Sequence, residues 1–260
     1  MEIVRTIRRI KLPPSQAIVE KAFQNLGLTS SQTAPAEIKA NFNKYLRQVF
    51  DETLRVLERY EESVYKEALE RVCGSDTEVL NLALEKFKGN DNPLEGLKDA
   101  VITVITARRR ELWQIFQSRA QSRKARGGKD WELQLAKFLE LMNIPCERSS
   151  KNYRVDFILP NRRYFRKHKS KSFIISAKRT LRERWQEVIE ELARYRAPNV
   201  YLVTADEEIS HNVAKKITDY GVNLAVWDEV KKKFPKLSGV IGFSRLIEEI
   251  DLYNRQYWSH

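Results

Sequence analysis

Tyr153-Arg-Val-Asp-Phe-Ile-Leu-Pro160 and Phe173-Ile-Ile-Ser-Ala-Lys178 are the two stretches on which the fold of this chain turns. Both are apolar runs of strand length, bounded by polar or turn-forming residues. Each carries one charged group, Asp156 or Lys178. A lone carboxylate among Val155, Phe157, Ile158 and Leu159 is costly to bury, and so is a lone ammonium. Each therefore needs a partner. The two could form a structural ion pair. Alternatively, the carboxylate holds a divalent cation while the ammonium faces a phosphate and a water to be activated. That second arrangement is what metal-dependent phosphodiester cleavage requires.

The residues after Lys178 extend this reading. Arg179-Thr-Leu-Arg182-Glu183-Arg184-Trp185 places an acid between two arginines. Arginine donates to guanine O6 and N7, and glutamate accepts from cytosine N4. Neighbouring positions at a helix start diverge by about 100° and so reach adjacent base pairs. Such a set suits two adjacent G·C pairs, CC on one strand and GG on the other. An exposed, salt-bridged helix start would use the same residues. Glu191 lies thirteen residues after Lys178, on a helix expected over 180–195. It faces the strands only if that helix packs along them. Glu187 and Glu190 crowd the same helix, and periodicity does not select Glu191 over Glu187.

Composition is consistent with a nucleic-acid partner. The 260 residues carry a net charge of +12 and 42% hydrophobic residues, enough for a sizeable core. The basic residues are concentrated on both sides of the proposed strands. Arg123, Lys124, Arg126 and Lys129 precede them and Arg179 follows, as candidate contacts to a DNA backbone. Two solvated basic surfaces are the plainer reading. No run of eighteen apolar residues is present, and the first residues lack a signal-peptide core, so no membrane role is expected. Cys73 and Cys146 match no zinc pattern and suggest free thiols in a reducing cytoplasm. His168, His211 and His260 form no metal spacing.

The chain divides in character. Residues 1–120 read as a mainly helical region, with helices over 36–73, 77–87 and 94–120 and one opening at Ser15. Residues 121–260 read as an α/β unit with a mixed central sheet. A loop or bound arm is expected at 122–128, then a helix over 129–142. Strands are expected at 154–159, 172–177, 199–204 and 224–227, with helices at 180–195, 208–220 and 243–253. Trp113, Trp131, Trp185 and Trp227 are expected in the core, and Trp258 in a mobile tail.

The pattern Asp156…Ser176-Ala-Lys178-x12-Glu191 resembles the PD-(D/E)xK nuclease superfamily. More narrowly, it resembles the EcoRII/SsoII/PspGI/NgoMIV-like branch of the Type II restriction endonucleases. In that branch a small residue replaces the acid before the lysine, and a glutamate on the next helix takes over metal binding; Ser176 and Glu191 fit. The likeness includes the segment from Lys178 to Trp185. It extends to Gln121-Ser-Arg-Lys-Ala-Arg-Gly-Gly-Lys-Asp-Trp-Glu132 and spans about residues 118–205. Val155 departs from it, standing where the superfamily name expects proline.

The resemblance implies a nuclease core with a central mixed sheet flanked by helices, behind a helical N-terminal region for dimerisation and DNA contacts. It implies Mg²⁺ bound by Asp156 and Glu191, Lys178 positioning the attacking water, and Glu132 assisting. Arg182, Glu183 and Arg184 would read the major groove and Gln121 the minor groove. The expected reaction is hydrolysis of double-stranded DNA at CCNGG or CCWGG, with CCGG second, before the first C. It would leave 5′-phosphates and 5′ overhangs. Flipping of the central bases is a further expectation. A palindrome calls for a homodimer, or a higher oligomer. The setting would be a prokaryotic cytoplasm, with a host methyltransferase that protects the DNA without touching this chain. A structure-selective repair nuclease and a non-catalytic, sequence-specific DNA-binding protein are the alternatives.

Overall fold

The computed structural model describes residues 12–74, 77–148, 155–181 and 185–258. They fall into two compact units. One consists of Ser15–Thr53 with the described part of Gly127–His260; the other consists of Leu54–Arg126 with the described residues up to Pro14. The division therefore crosses the sequence more than once, and residues 15–53 belong with the α/β unit.

In the α/β unit six strands form one mixed sheet in chain order: β1 (Glu147–Arg148), β2 (Phe157–Leu159), β3 (Phe173–Lys178), β4 (Val200–Thr204), β5 (Asn223–Val226) and β6 (Val240–Gly242). The first two pairings are antiparallel and the remaining three parallel. β3 is buried up to Ala177 and β4 throughout. That burial explains why apolar residues dominate both strands, because a strand covered on both faces has no polar side to alternate with. Helices α8 (Trp185–Ala193) and α9 (His211–Asp219) serve as crossovers, and α11 (Phe243–Tyr253) follows β6. The Ser210 hydroxyl caps α9 by accepting the Val213 N–H.

The remaining helices are α1 (Ser15–Asn25), α2 (Pro35–Ala40), α3 (Phe42–Gly74), α4 (Thr77–Lys88), α5 (Pro93–Ala107), α6 (Arg109–Leu141), α7 (Arg162–Lys167) and α10 (Asp228–Lys231). The helix expected over 36–73 breaks at Asn41, and the one over 94–120 breaks at Arg108. The loop expected at 122–128 is helical and lies within α6. Gly127 and Gly128 each cost a helix about 1 kcal/mol, and the surrounding Gln, Arg and Lys are strong helix formers. Gly127 serves close packing, since a Cβ there would lie 2.4 Å from Nη1 of Arg179. β1, β6 and α7 were not anticipated, being too short for a periodic signal.

The core of the α/β unit is aromatic. Trp131 and Trp227 lie with ring centroids 5.9 Å apart, and Phe50 stands edge-on to both. Each indole N–H is satisfied: Trp131 donates to the Val203 carbonyl at 3.3 Å and Trp227 to the Ala205 carbonyl at 3.0 Å. These bonds tie α6 and the end of β5 to the end of β4. Trp185 is half-buried against the same core. Trp113, expected inside, is 63% exposed in the other unit. Trp258 is held, not loose: its indole N–H reaches the Lys171 carbonyl at 2.8 Å, and its ring stands against Phe173. Replacing Trp227 with Phe keeps a ring but removes the donor to Ala205. The Trp227→Phe variant is expected to lose about 1–3 kcal/mol of stability in urea unfolding.

Candidate active site

β2 and β3 pair antiparallel with Phe157 opposite Ile175, which puts Asp156 beside the C-terminal end of β3. The Asp156 amide donates to the Ile175 carbonyl at 2.9 Å, so its backbone continues the ladder one residue beyond the strand. Its Oδ2 accepts from three consecutive residues: the Ser176 hydroxyl at 3.2 Å, the Ala177 N–H at 2.6 Å and Lys178 Nζ at 3.4 Å. Among the described residues no hydrogen bond goes to Oδ1. The ammonium contact is long beside the 2.7–2.9 Å of a charge-assisted hydrogen bond. The pair is therefore in contact without being a closed ion pair. Lys178 keeps 36% of its side chain exposed, open to a ligand.

Ser176 is fully buried and occupies the position two before the lysine. Its hydroxyl orients the Asp156 carboxylate. Glu191 lies on α8, where Ile189 and Leu192 are buried, Glu187 and Glu190 exposed, and Glu191 half-buried and engaged in a polar contact. The tertiary structure thus distinguishes Glu191 where periodicity did not. Glu132 follows the buried Trp131 on α6 and pairs with Lys129 at 3.1 Å. Among the described residues no three His, Cys, Asp or Glu side chains cluster as a metal site, so Asp156, Glu191 and Glu132 form no three-ligand set. Burial pushes the Cys146 thiol above its ordinary pKa, which argues against a nucleophilic role.

The residues after Lys178 are held by the end of β4, where Lys178 pairs with Thr204. The Thr204 hydroxyl donates to the Arg179 carbonyl at 3.4 Å and accepts the Asp206 N–H at 3.1 Å. The Asp206 carboxylate accepts the Leu181 N–H at 2.7 Å and the Glu208 N–H at 3.0 Å. Sequence reading missed Thr204 and Asp206, because nothing local marks them; they acquire meaning only from their register beside Lys178. Arg182, Glu183 and Arg184 lie outside the described residues. Arg179 packs its guanidinium against Gly127 and over the Phe50 ring.

The other candidate contacts belong to the second unit, apart from Lys129. Gln121 and Lys124 are exposed on α6, so Gln121 is helical and not in a loop. Arg123 pairs with the buried Glu61, and Arg126 donates to the Pro13 carbonyl at 2.7 Å.

A family model described as EcoRII C terminal matches residues 98–247. This chain belongs to the EcoRII C-terminal family. The Type II restriction enzyme SsoII of Shigella sonnei is 25% identical over 194 residues, which is 70% of this chain and 62% of that protein. The match thus covers less than two thirds of SsoII's length. Two solved structures share the fold. Metal-depleted Ecl18kI in complex with uncleaved DNA has a TM-score of 0.79 at 23% identity, covering 100% of this chain and 85% of that one. A PspGI–substrate DNA complex has a TM-score of 0.63 at 19% identity, covering 95% of each chain. The EcoRII C-terminal match takes in Glu132, Asp156, Lys178, Glu191 and Asp206 together. No described helix is long and apolar enough to cross a membrane.

Asp206→Ala leaves the Leu181 and Glu208 N–H groups without their acceptor. The expected result is a loss of about 1–3 kcal/mol in thermal or urea melts, with faster protease cleavage near residue 181. Asp206→Asn keeps one acceptor oxygen where the carboxylate uses two, so it should restore one of the two bonds and recover only part of the loss.

Proposed function

We propose that this chain is a Type II restriction endonuclease that hydrolyses double-stranded DNA at a palindrome with CC/GG half-sites. CCNGG or CCWGG is preferred and CCGG is second, with Mg²⁺ as cofactor and a homodimer as the working form. The observation that carries this reading is the Asp156–Ser176–Lys178 arrangement at the paired ends of β2 and β3, inside the family's matched span. Support comes from the relatives: SsoII is named a Type II restriction enzyme, and the Ecl18kI and PspGI structures hold DNA.

Asp156 and Glu191 would hold the cation. When bound, it supplies positive charge to the scissile phosphate and acidifies water. The chain's own residues do the positioning. The Ser176 hydroxyl and the Ala177 N–H fix Oδ2 of Asp156. Lys178 holds the attacking water and faces the charge gathering on the phosphate oxygens. Water adds to phosphorus as the bond to the 3′ oxygen breaks, leaving a 5′-phosphate and a 3′-hydroxyl. Glu132 assists from α6.

Arg182, Glu183 and Arg184 read the major groove, from a segment that Thr204 and Asp206 hold at its base. Gln121 reads the minor groove. Lys124 and Lys129 contact phosphates; Arg123, Arg126 and Arg179 add charge there while keeping their contacts within the protein. Residues 1–120 contribute to dimerisation, and 121–260 carry the residues of the chemistry. The enzyme would work in a prokaryotic cytoplasm whose own DNA a methyltransferase protects.

The test is incubation with unmethylated plasmid and Mg²⁺ beside an Asp156→Ala control, followed by sequencing of the ends. Discrete 5′-phosphate ends at one CC/GG palindrome are expected, absent in the variant and abolished by EDTA. Random nicking would indicate a structure-selective nuclease, and tight binding without cleavage a DNA-binding protein. Lys178→Ala should lower the cleavage rate by at least about 10²-fold. Lys124→Ala should weaken binding equally on all sequences and reduce the salt slope of log K by about 1.

A further inference from the structure

Asp156 and Lys178 lie at one end of the β2–β3 pair, and the other end carries a different surface. β2 runs out through Pro160 into α7, and a single turn, Lys169–Lys171, leads into β3 at Phe173. Residues 161–171 hold six lysines and arginines and no acid. The segment between α8 and β4 returns to the same end. Its Asn199 side chain donates to the Ser170 carbonyl at 3.1 Å, and Tyr195 packs on Phe165 with ring centroids 6.1 Å apart. Arg194 and Arg196 thus come beside α7. Arg163, Lys167, Lys169, Lys171, Arg194 and Arg196 are all exposed. Acids near this end are taken by other cations. Glu147 pairs with Arg162. On α11, whose Tyr253 stands against Phe173, Glu249 pairs with Arg245 and Asp251 with Lys39 and Arg255.

Two features hold these charges in place. Lys171 Nζ lies 4.4 Å from the centroid of the Tyr257 ring and Lys169 Nζ 5.9 Å from that of Phe165. Arg196 follows α8 with a left-handed backbone, φ +46°. Glycine is the usual residue at such a helix end, and a side chain there is strained. An arginine in that place gives up stability and presents a guanidinium to solvent.

We propose that this end of the sheet is a sequence-independent seat for the phosphate backbone of duplex DNA, separate from the catalytic end. Cations this dense repel one another. A regular polyanion relieves that repulsion, and release of its counterions drives binding. β3 has six residues, so five steps of about 3.3 Å put the seat on the order of 16 Å from Lys178. The Debye length at physiological salt is about 8 Å, so the two ends act on separate phosphates. The seat adds affinity that does not depend on base sequence and keeps DNA on the protein between encounters with a site. The choice of DNA as the polyanion rests on the proposed cleavage activity, while the charge and its placement do not.

The experiment is titration of the full chain, in EDTA near physiological ionic strength, with a fluorescent duplex that contains no CC/GG palindrome. The double variant Lys167→Glu, Lys169→Glu should bind at least about tenfold more weakly than wild type, with the salt slope of log K reduced by about 2. Its circular dichroism and melting should be unchanged, because both side chains are exposed. Arg196→Gly relieves the strained backbone and removes one cation. It should melt at a higher temperature and yet bind the duplex more weakly, with the slope reduced by about 1. A merely structural role for Arg196 would not move binding in that direction. Wild type without affinity for the duplex, unchanged binding and slope in the double variant, or an Arg196→Gly chain that binds as wild type does would each overturn the proposal. If the double variant loses binding but wild type never cuts plasmid DNA, the seat stands and the cleavage reading falls. If wild type cuts at discrete CC/GG sites and the double variant binds unchanged, the cleavage reading stands and the seat falls.

Discussion

The antiparallel pairing of β2 with β3 is the constraint on which the site depends. It delivers a carboxylate to a position where three consecutive residues of the neighbouring strand can donate to one oxygen. Side chains alternate along a strand, so Ser176 and Lys178 share a face while the Ala177 amide points sideways toward β2. A slip of one residue would carry Lys178 and Ser176 to the opposite face together. The fully buried apolar residues on either side oppose such a slip, since it would bring the lysine into the core.

The parallel pairing of β3 with β4 adds the second level. It sets Lys178 level with Thr204, and the chain leaving β4 turns back to hold Arg179 and Leu181 through Thr204 and Asp206. Lys178 and the backbone at Arg179 and Leu181 are therefore fixed by one strand end. Trp131 and Trp227 hold the same region from the core side, each with its indole N–H on a carbonyl at or just beyond the end of β4. Glu132, one residue from Trp131, is placed by that anchor.

Several features followed from local sequence. The strands at β3, β4 and β5 and the helix at Phe243–Tyr253 are strongly patterned, and their positions were legible within a residue or two. Asp156 and Lys178 stood out because a charge in an apolar run has few inexpensive explanations. Other features were hidden. The glycines at 127 and 128 suggest a break, but they sit inside a helix, and at Gly127 a Cβ would meet the side chain of Arg179, fifty-two residues away. Trp113 has the composition of a core residue and yet lies exposed.

The amino-acid sequence by itself determined the α/β class of the second half, the basic balance and the placing of one charge, Asp156 or Lys178, in each of two apolar runs. Each of these depends on residue type and short-range period, which are local properties. Only the tertiary structure decided which of the α8 glutamates flanks the buried face, that Asp156 is received by Ser176 and Ala177 as well as Lys178, and that Thr204 and Asp206 hold the backbone at Arg179 and Leu181. Those outcomes depend on strand register and on which face of a helix meets the sheet, and both are set by burial of residues distant in the chain.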